Sequence, residues 1–221
     1  FISIKNSTGQ KLTSVQKTNL VSSLAPYKVA SITPVIVDAE TISLILGITF
    51  RYDSTSTTLA SSDLASKVSN TITSYNTNNL QLFNNPFRHS EVLGLIDSSD
   101  SSILSNVTTV TMAQYFTPTL GTSASFILNF ANPFYNPHDG HNSAAGGIIS
   151  STGFYISGGT TEYFFDDDGI GNLRIYSLAG RTRIYLNSFA GTVDYTNGKI
   201  TIDSLNITSI SNVDGSTSTQ I

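Results

Sequence analysis

The chain has 221 residues, enough for one large domain or two small ones with a substantial core. Charged residues make up only 12%, about half the usual share, and the net charge is −4 with no basic run, which excludes the electrostatic footprint of a nucleic-acid binder. With no cysteine, disulfides, thiolate metal sites and thiol nucleophiles are excluded, and no apolar run approaches the ~20 residues that cross a bilayer as a helix.

Polarity comes instead from Ser, Thr and Asn, which favour turns, caps and strands over helix interiors. The chain opens at Phe1 without Met or a signal peptide, so the sequence reads as a fragment or processed product. Phe1 to Lys5 reads as an edge strand. Thr13 begins a capping-box pattern with Gln16, and a weakly amphipathic helix carrying Val15, Leu20, Val21 and Leu24 runs to Pro26, which stops it.

Val35 to Val37 is a short strand and Asp38-Ala39-Glu40 a hairpin turn. From Ile42 to Tyr52, Ile42, Leu44, Leu46, Ile48, Phe50 and Tyr52 alternate with a polar face broken only by Ile45, which predicts a strand with one face on a core. Leu64, Val68, Ile72 and Tyr75 form one stripe of an amphipathic helix, with Ser62 and Asp63 in its first turn and Thr77 to Asn79 ending it. After Pro86, Ser90 is the expected N-cap of a short buried helix through Val92-Leu93-Gly94-Leu95-Ile96, with Glu91 in its first turn. Asp97 to Asp100 break that helix, and the β-branched run from Ile103 to Met112 predicts a long strand. The economical packing is a three-stranded sheet with helices on one face.

After Thr117-Pro118 the helical period disappears and strands recur at short intervals. Strands are expected at 124–130, 148–156, 163–165, 173–178 and 182–186. A hairpin of 191–195 with 199–203 is expected about a type I′ turn at Asn197-Gly198, followed by a last strand at 205–210. Asn212 to Gln220 reads as a polar tail. The fold class is therefore α+β: a small antiparallel or mixed sheet with helices on one face (residues 1–118), followed by a β-rich domain (119–221).

Chemistry-bearing residues are few. His138 and His141 flank Asp139-Gly140, a set that can hold zinc, but the loose spacing and intervening glycine favour a solvated loop, so no metal is assigned. Asp166-Asp167-Asp168-Gly169 resembles a calcium loop, yet the twelfth residue from Asp166 is Ser177 where Glu is required, so a solvated β-turn is expected. Glu40, Glu91 and Glu162 show no spacing that pairs carboxylates for glycoside hydrolysis, and Gly-x-Ser-x-Gly does not occur. No catalytic or cofactor-binding residue is assigned and none is expected. Phe130, Phe134 and Tyr135, beside Pro133 and Pro137, are candidates for a subunit or interdomain contact, where aromatic residues are enriched.

Taken in order, Pro34-Val35-Ile36-Val37, the 42–52 strand, Arg88-His89-Ser90, Ile96-Asp97, Ile103 and the Thr108 to Met112 strand are similar to the baseplate wedge ring protein of T-even-like contractile-tailed phages. That is the gene product six class, related to baseplate J proteins. Gly146-Gly147-Ile148-Ile149-Ser150-Ser151-Thr152-Gly153-Phe154, Asp167-Asp168-Gly169-Ile170-Gly171-Asn172-Leu173 and Gly191-Thr192-Val193-Asp194-Tyr195 with Gly198-Lys199-Ile200 extend the resemblance to about residue 210. It implies a structural, non-enzymatic subunit corresponding to the C-terminal region of a much longer protein. Such a subunit would self-associate into a ring around the tail hub and touch other wedge proteins, and the ring would rearrange on contraction. Its location would be the virion's tail baseplate, after assembly in the host cytoplasm, with no nucleic acid, membrane or cofactor partner. The alternative is a tail-associated adhesin or carbohydrate-binding module built on the β part.

Overall fold

The computed structural model describes residues 2–5, 12–27, 34–38, 41–82, 85–141, 147–156, 158–213, 218 and 220–221. Contacts divide the chain into two compact units, Phe1–Thr111 and Met112–Ile221.

The first unit opens with a β-α-β element. Strand β1 (Ile2–Ile4) pairs in parallel with β2 (Ile36–Asp38), and helix α1 (Ser14–Leu24) lies between them in sequence. The capping box forms as read: Thr13 Oγ1 accepts from Gln16 N at 3.2 Å, and Thr13 N donates to Gln16 Oε1 at 2.9 Å. A 3-10 turn at Ala25–Tyr27 carries Pro26 past the helix end. No residue of α1 is fully buried; Leu20, Val21 and Leu24 are half-buried, so its caps add to a shallow packing face. The hairpin turn expected at Asp38-Ala39-Glu40 reaches beyond the described residues.

Strand β3 (Ser43–Tyr52) alternates between exposed and half-buried at every position, as its period-two pattern demands. It pairs with β4 (Ile103–Ala113). Thr109 Oγ1 donates to Gly47 O and Asp53 N donates to Ser102 O, so the partners run in opposite directions. The expected third strand does not join them, because β2 pairs with β1 instead. Helices α2 (Ser61–Tyr75) and α3 (His89–Asp97) close one core with this ribbon. Val68, Tyr75, Val92, Ile96 and Ile103 are buried, and Leu46, Ile48, Phe50 and Tyr52 pack on them from β3.

Two local expectations are corrected. Helix α2 does not stop at Thr77 to Asn79 but widens into a π turn at Asn76–Leu80. Ser90 is not an N-cap: α3 begins at His89, with extended Arg88 in the cap position and no side-chain cap bond. Tertiary contacts set that start. His89 Nε2 donates to the Thr108 carbonyl at 3.0 Å, anchoring the first turn to β4. At the far end Asn106 Nδ2 donates to Asp97 Oδ1 (2.7 Å) and Leu93 O (3.0 Å).

The second unit is a six-stranded antiparallel sheet that closes on itself. Its strands are β5 (Ser123–Asn129), β6 (Phe154–Ile156), β7 (Tyr163–Asp167), β8 (Asn172–Ala179), β9 (Thr182–Asp194) and β10 (Lys199–Ile210). Strand β10 closes the circuit. Its first half pairs with Gly191–Asp194 of β9, and its second half, beyond an irregularity between Ile202 and Leu205, pairs with β6. β6, β7 and β8 complete the path back to β9, while β5 adds along β10. Phe154, Phe165, Leu173, Ile175, Val193, Ile200, Ile202 and Ile207 are buried, and the rings of Phe154 and Phe165 stack with centroids 4.6 Å apart.

Here too the strand bounds differ from expectation. The run at 148–156 is strand only from Phe154; Ile148 to Gly153 are irregular and tied down by side chains. The 182–186 and 191–195 segments are one strand, as are 199–203 and 205–210. The hairpin at Asn197-Gly198 forms, but Asp194 pairs with Lys199, leaving a four-residue loop. Only Gly198 of that pair has positive φ (+61°), so the turn is not type I′.

Candidate functional site

The three consecutive acids 166–168 sit in a dense polar network of the second unit, and the first two are not part of a solvated turn. Asp166 and Asp167 are 1% and 0% exposed at the end of β7. Burial at this depth requires partners. Asp166 accepts from Arg174 Nε (2.9 Å) on β8, and from Arg183 Nη1 (2.9 Å) and Tyr185 OH (3.0 Å) on β9. Arg174 lies over the Tyr185 ring at 4.3 Å and Arg183 over the Tyr176 ring at 4.7 Å, so the two cations and two rings interlock across the hairpin. Burial, reinforced by the Asp166 carboxylate, pushes the Tyr185 hydroxyl above its ordinary pKa.

Asp167 works as a clasp. Its Oδ1 accepts from Ile148 N and Ile149 N at 2.7 Å each, and its Oδ2 from Tyr195 OH at 2.6 Å and Gly169 N at 3.3 Å. Burial and this carboxylate raise the Tyr195 pKa, keeping the phenol a donor. Gly147 has φ +70°, and a Cβ there would fall 2.0 Å from Asp167 Oδ1, so only glycine fits under the clasp. Asp168 alone serves the turn, accepting from Ile170 N, Asn172 N and Asn172 Nδ2. Burial opposes its ionisation, but the Asn172 bonds outweigh it and hold its pKa below the usual value. All three carboxylates are thus engaged by the chain's own donors.

The histidine loop is folded on itself. His138 Nδ1 donates to Asp139 O at 3.1 Å, so in the neutral ring Nε2 is the acceptor for His141 Nδ1, 3.1 Å away. Among the described residues no three His, Cys, Asp or Glu side chains are grouped to hold a metal ion.

Of the aromatic candidates, Phe130 is buried and meets Phe134 edge-to-face at 5.1 Å. Their backbones bond to the β9–β10 loop, Phe130 N to Gly198 O and Phe134 N to Tyr195 O, each at 2.8 Å. Tyr135 is 73% exposed, with the His141 ring edge-on at 5.5 Å. Beside them, Asn129, Ala131, Pro133, Asp194, Thr196, Asn197 and Lys199 line an open groove of about 560 Å³. Asp194 there is held below its ordinary pKa chiefly by the Asn197 side chain. The Asp166 and Asp167 networks were not foreseen in the sequence, because all their partners but Gly169 lie 7 to 28 residues away.

Comparison with known proteins places these elements. Residues 43–115 match the model of baseplate structural protein gp6, C-terminal domain III, and residues 1–37 match that of its C-terminal domain I. The first match spans β3, α2, α3 and β4, the elements that build one core. The baseplate wedge protein gp6 of Enterobacteria phage T4 is 27% identical over 126 residues. That alignment takes in 55% of this chain and 19% of the T4 protein, so the chain spans a small part of its relative's length. Two domain models in chain order and this relative agree on what the chain is similar to: the C-terminal region of the gp6 class of phage baseplate structural proteins.

Proposed function

We propose that this chain is a structural subunit of a phage tail baseplate wedge, and that copies self-associate into the ring around the hub that rearranges when the tail contracts. The ordered match to two gp6 C-terminal domains carries this reading. The buried networks support it, because polar groups that chemistry would recruit are instead locked into the fold, as suits a part that transmits shape. Its action is positional rather than enzymatic. Other wedge proteins and further copies are its partners, with Phe130, Phe134 and Tyr135 the candidate contact residues and Tyr135 the most exposed among them. We further propose that the two parts expected at 1–118 and 119–221 act as separate rigid domains, with the boundary drawn at Thr111–Met112, and with hinge-like adjustment between them.

The test is immunogold electron microscopy of intact virions with an antibody raised against residues 123–210. Label at the tail baseplate is expected. Label confined to tail fibres, together with selective capture on a glycan array, would replace this reading with an adhesin.

A further inference from the structure

The β9–β10 loop carries the one Asn-Gly step of the chain, at Asn197-Gly198. Such a step can react with itself. Glycine has no side chain to screen its own backbone nitrogen, so that nitrogen can reach the side-chain carbonyl carbon of the residue before it. Elsewhere the following residue opposes this. Asn85, Asn132 and Asn136 precede proline, which has no N–H, and Asn129, Asn172 and Asn206 precede Phe, Leu and Ile, whose bulk crowds the approach.

The loop both offers and restrains the reactive groups. Asn197 is exposed and lines the open groove beside Thr196 and Lys199. The Gly198 N–H, the group that attacks, meets no acceptor among the described residues. Two holds oppose the reaction. Asp194 grips Asn197 twice, its Oδ1 accepting from the backbone N at 3.0 Å and its Oδ2 from Nδ2 at 2.6 Å. Bringing the side-chain carbon onto the Gly198 nitrogen requires the Nδ2 bond to break first. Gly198 is itself buried and pinned: its φ is +61°, its carbonyl accepts from Phe130 N, and the Asn132 backbone closes over it.

We propose that Asn197 is a self-modifying site, deamidating through a cyclic imide with Gly198 at a rate that Asp194 sets by holding the amide. The Gly198 nitrogen gives up its proton to solvent and bonds to Cγ of Asn197. The bond from Cγ to Nδ2 breaks, and ammonia leaves with protons taken from water. Water then opens the imide at one carbonyl or the other, leaving aspartate or isoaspartate at 197. No enzyme or partner is required. The product changes the loop that made it. A new carboxylate stands where the amide donated to Asp194, and Lys199 is the one cation lining the groove against the two acids. Isoaspartate also lengthens the backbone within 195–198, whose carbonyls at Tyr195 and Gly198 accept from Phe134 N and Phe130 N. Modification at 197 therefore loosens the seat of both aromatic rings.

The test is peptide mapping by mass spectrometry of the full chain held in mildly alkaline buffer, resolving asparagine, aspartate and isoaspartate at each position. Asn197 should convert ahead of Asn187, an exposed asparagine followed by the small Ser188. Conversion of Asn187 first would overturn the site. Asp194→Ala should speed conversion at 197 about threefold or more, because an exposed bond to a charged group no longer has to break. A rate at or below wild type would overturn the role of Asp194. If Asp194→Ala does not fold, wild type in guanidinium chloride decides: the denatured chain should convert faster at 197 than the folded one, and equal rates would overturn the restraint. In hydrogen exchange Asn197→Asp should raise the rates of the Phe130 and Phe134 amides, and unchanged rates would overturn the loosening.

Discussion

Asp167 gathers four donors from three parts of the chain onto one buried carboxylate. Hydrogen bonds to a charged group contribute about 1.5–3 kcal/mol each, and buried donors left unmet are costly. Asp167→Ala should lower the stability of the second unit by about 3 kcal/mol or more in chemical denaturation. Gly147→Ala should also destabilise, through its left-handed backbone and the clash under the clasp. In a double-mutant cycle the two losses should fall well short of additive, since both release the same segment. Acid sensitivity belongs to this scale too. The Ser56 and Thr55 hydroxyls, then the Thr55 N–H, hold Asp53 at about 2, and Lys67, then Ser102, hold Asp100 at about 2. Both folded values lie below the unfolded one, so their stabilisation is fully present above about pH 4 and is lost as pH falls towards 2. Thermal melts between pH 4 and pH 2 should show a steep fall in wild type and a shallower one in Asp100→Asn.

Among the elements, α1 and α3 make opposite predictions. α1 has no fully buried residue, so Thr13→Ala should lower amide protection across the helix in hydrogen exchange and leave the melting temperature of the chain nearly unmoved. α3 is a core helix with Val92 and Ile96 fully buried, so Ile96→Ala should cost about 2–5 kcal/mol. The same contrast shows what was legible in the residues. The capping box of α1, the stripe of α2 and the alternation of β3 are local patterns, and each forms as written. The start of α3, the partner of β2 and the burial of Asp166 depend on groups far along the chain: Thr108 for His89, Ile2 for Ile36, Arg183 for Asp166. A local rule read Ser90 as a cap and three acids as a wet turn because it prices each residue against water. The positions of Phe130 and Phe134 were legible as aromatic neighbours of proline, but not their mutual packing, which the loop at 195–198 imposes.

For the whole molecule, two cores predict two unfolding events. Ile96→Ala should shift one calorimetric transition and Ile202→Ala the other, each leaving its counterpart in place. A single transition displaced by both substitutions would mean one cooperative body and would remove the two-domain proposal. The barrel circuit through β10 also bears on load. Phe116 and Ile221 exchange both backbone hydrogen bonds, at 3.2 and 3.1 Å, and Ile221 is buried. A pull applied between these two residues therefore meets a small bolt before it meets any strand of the closed sheet. With two backbone bonds against the many of the sheet, that bolt should open before the strands behind it are disturbed. Tension routed through this point would first lengthen the tether and only afterwards deform the fold.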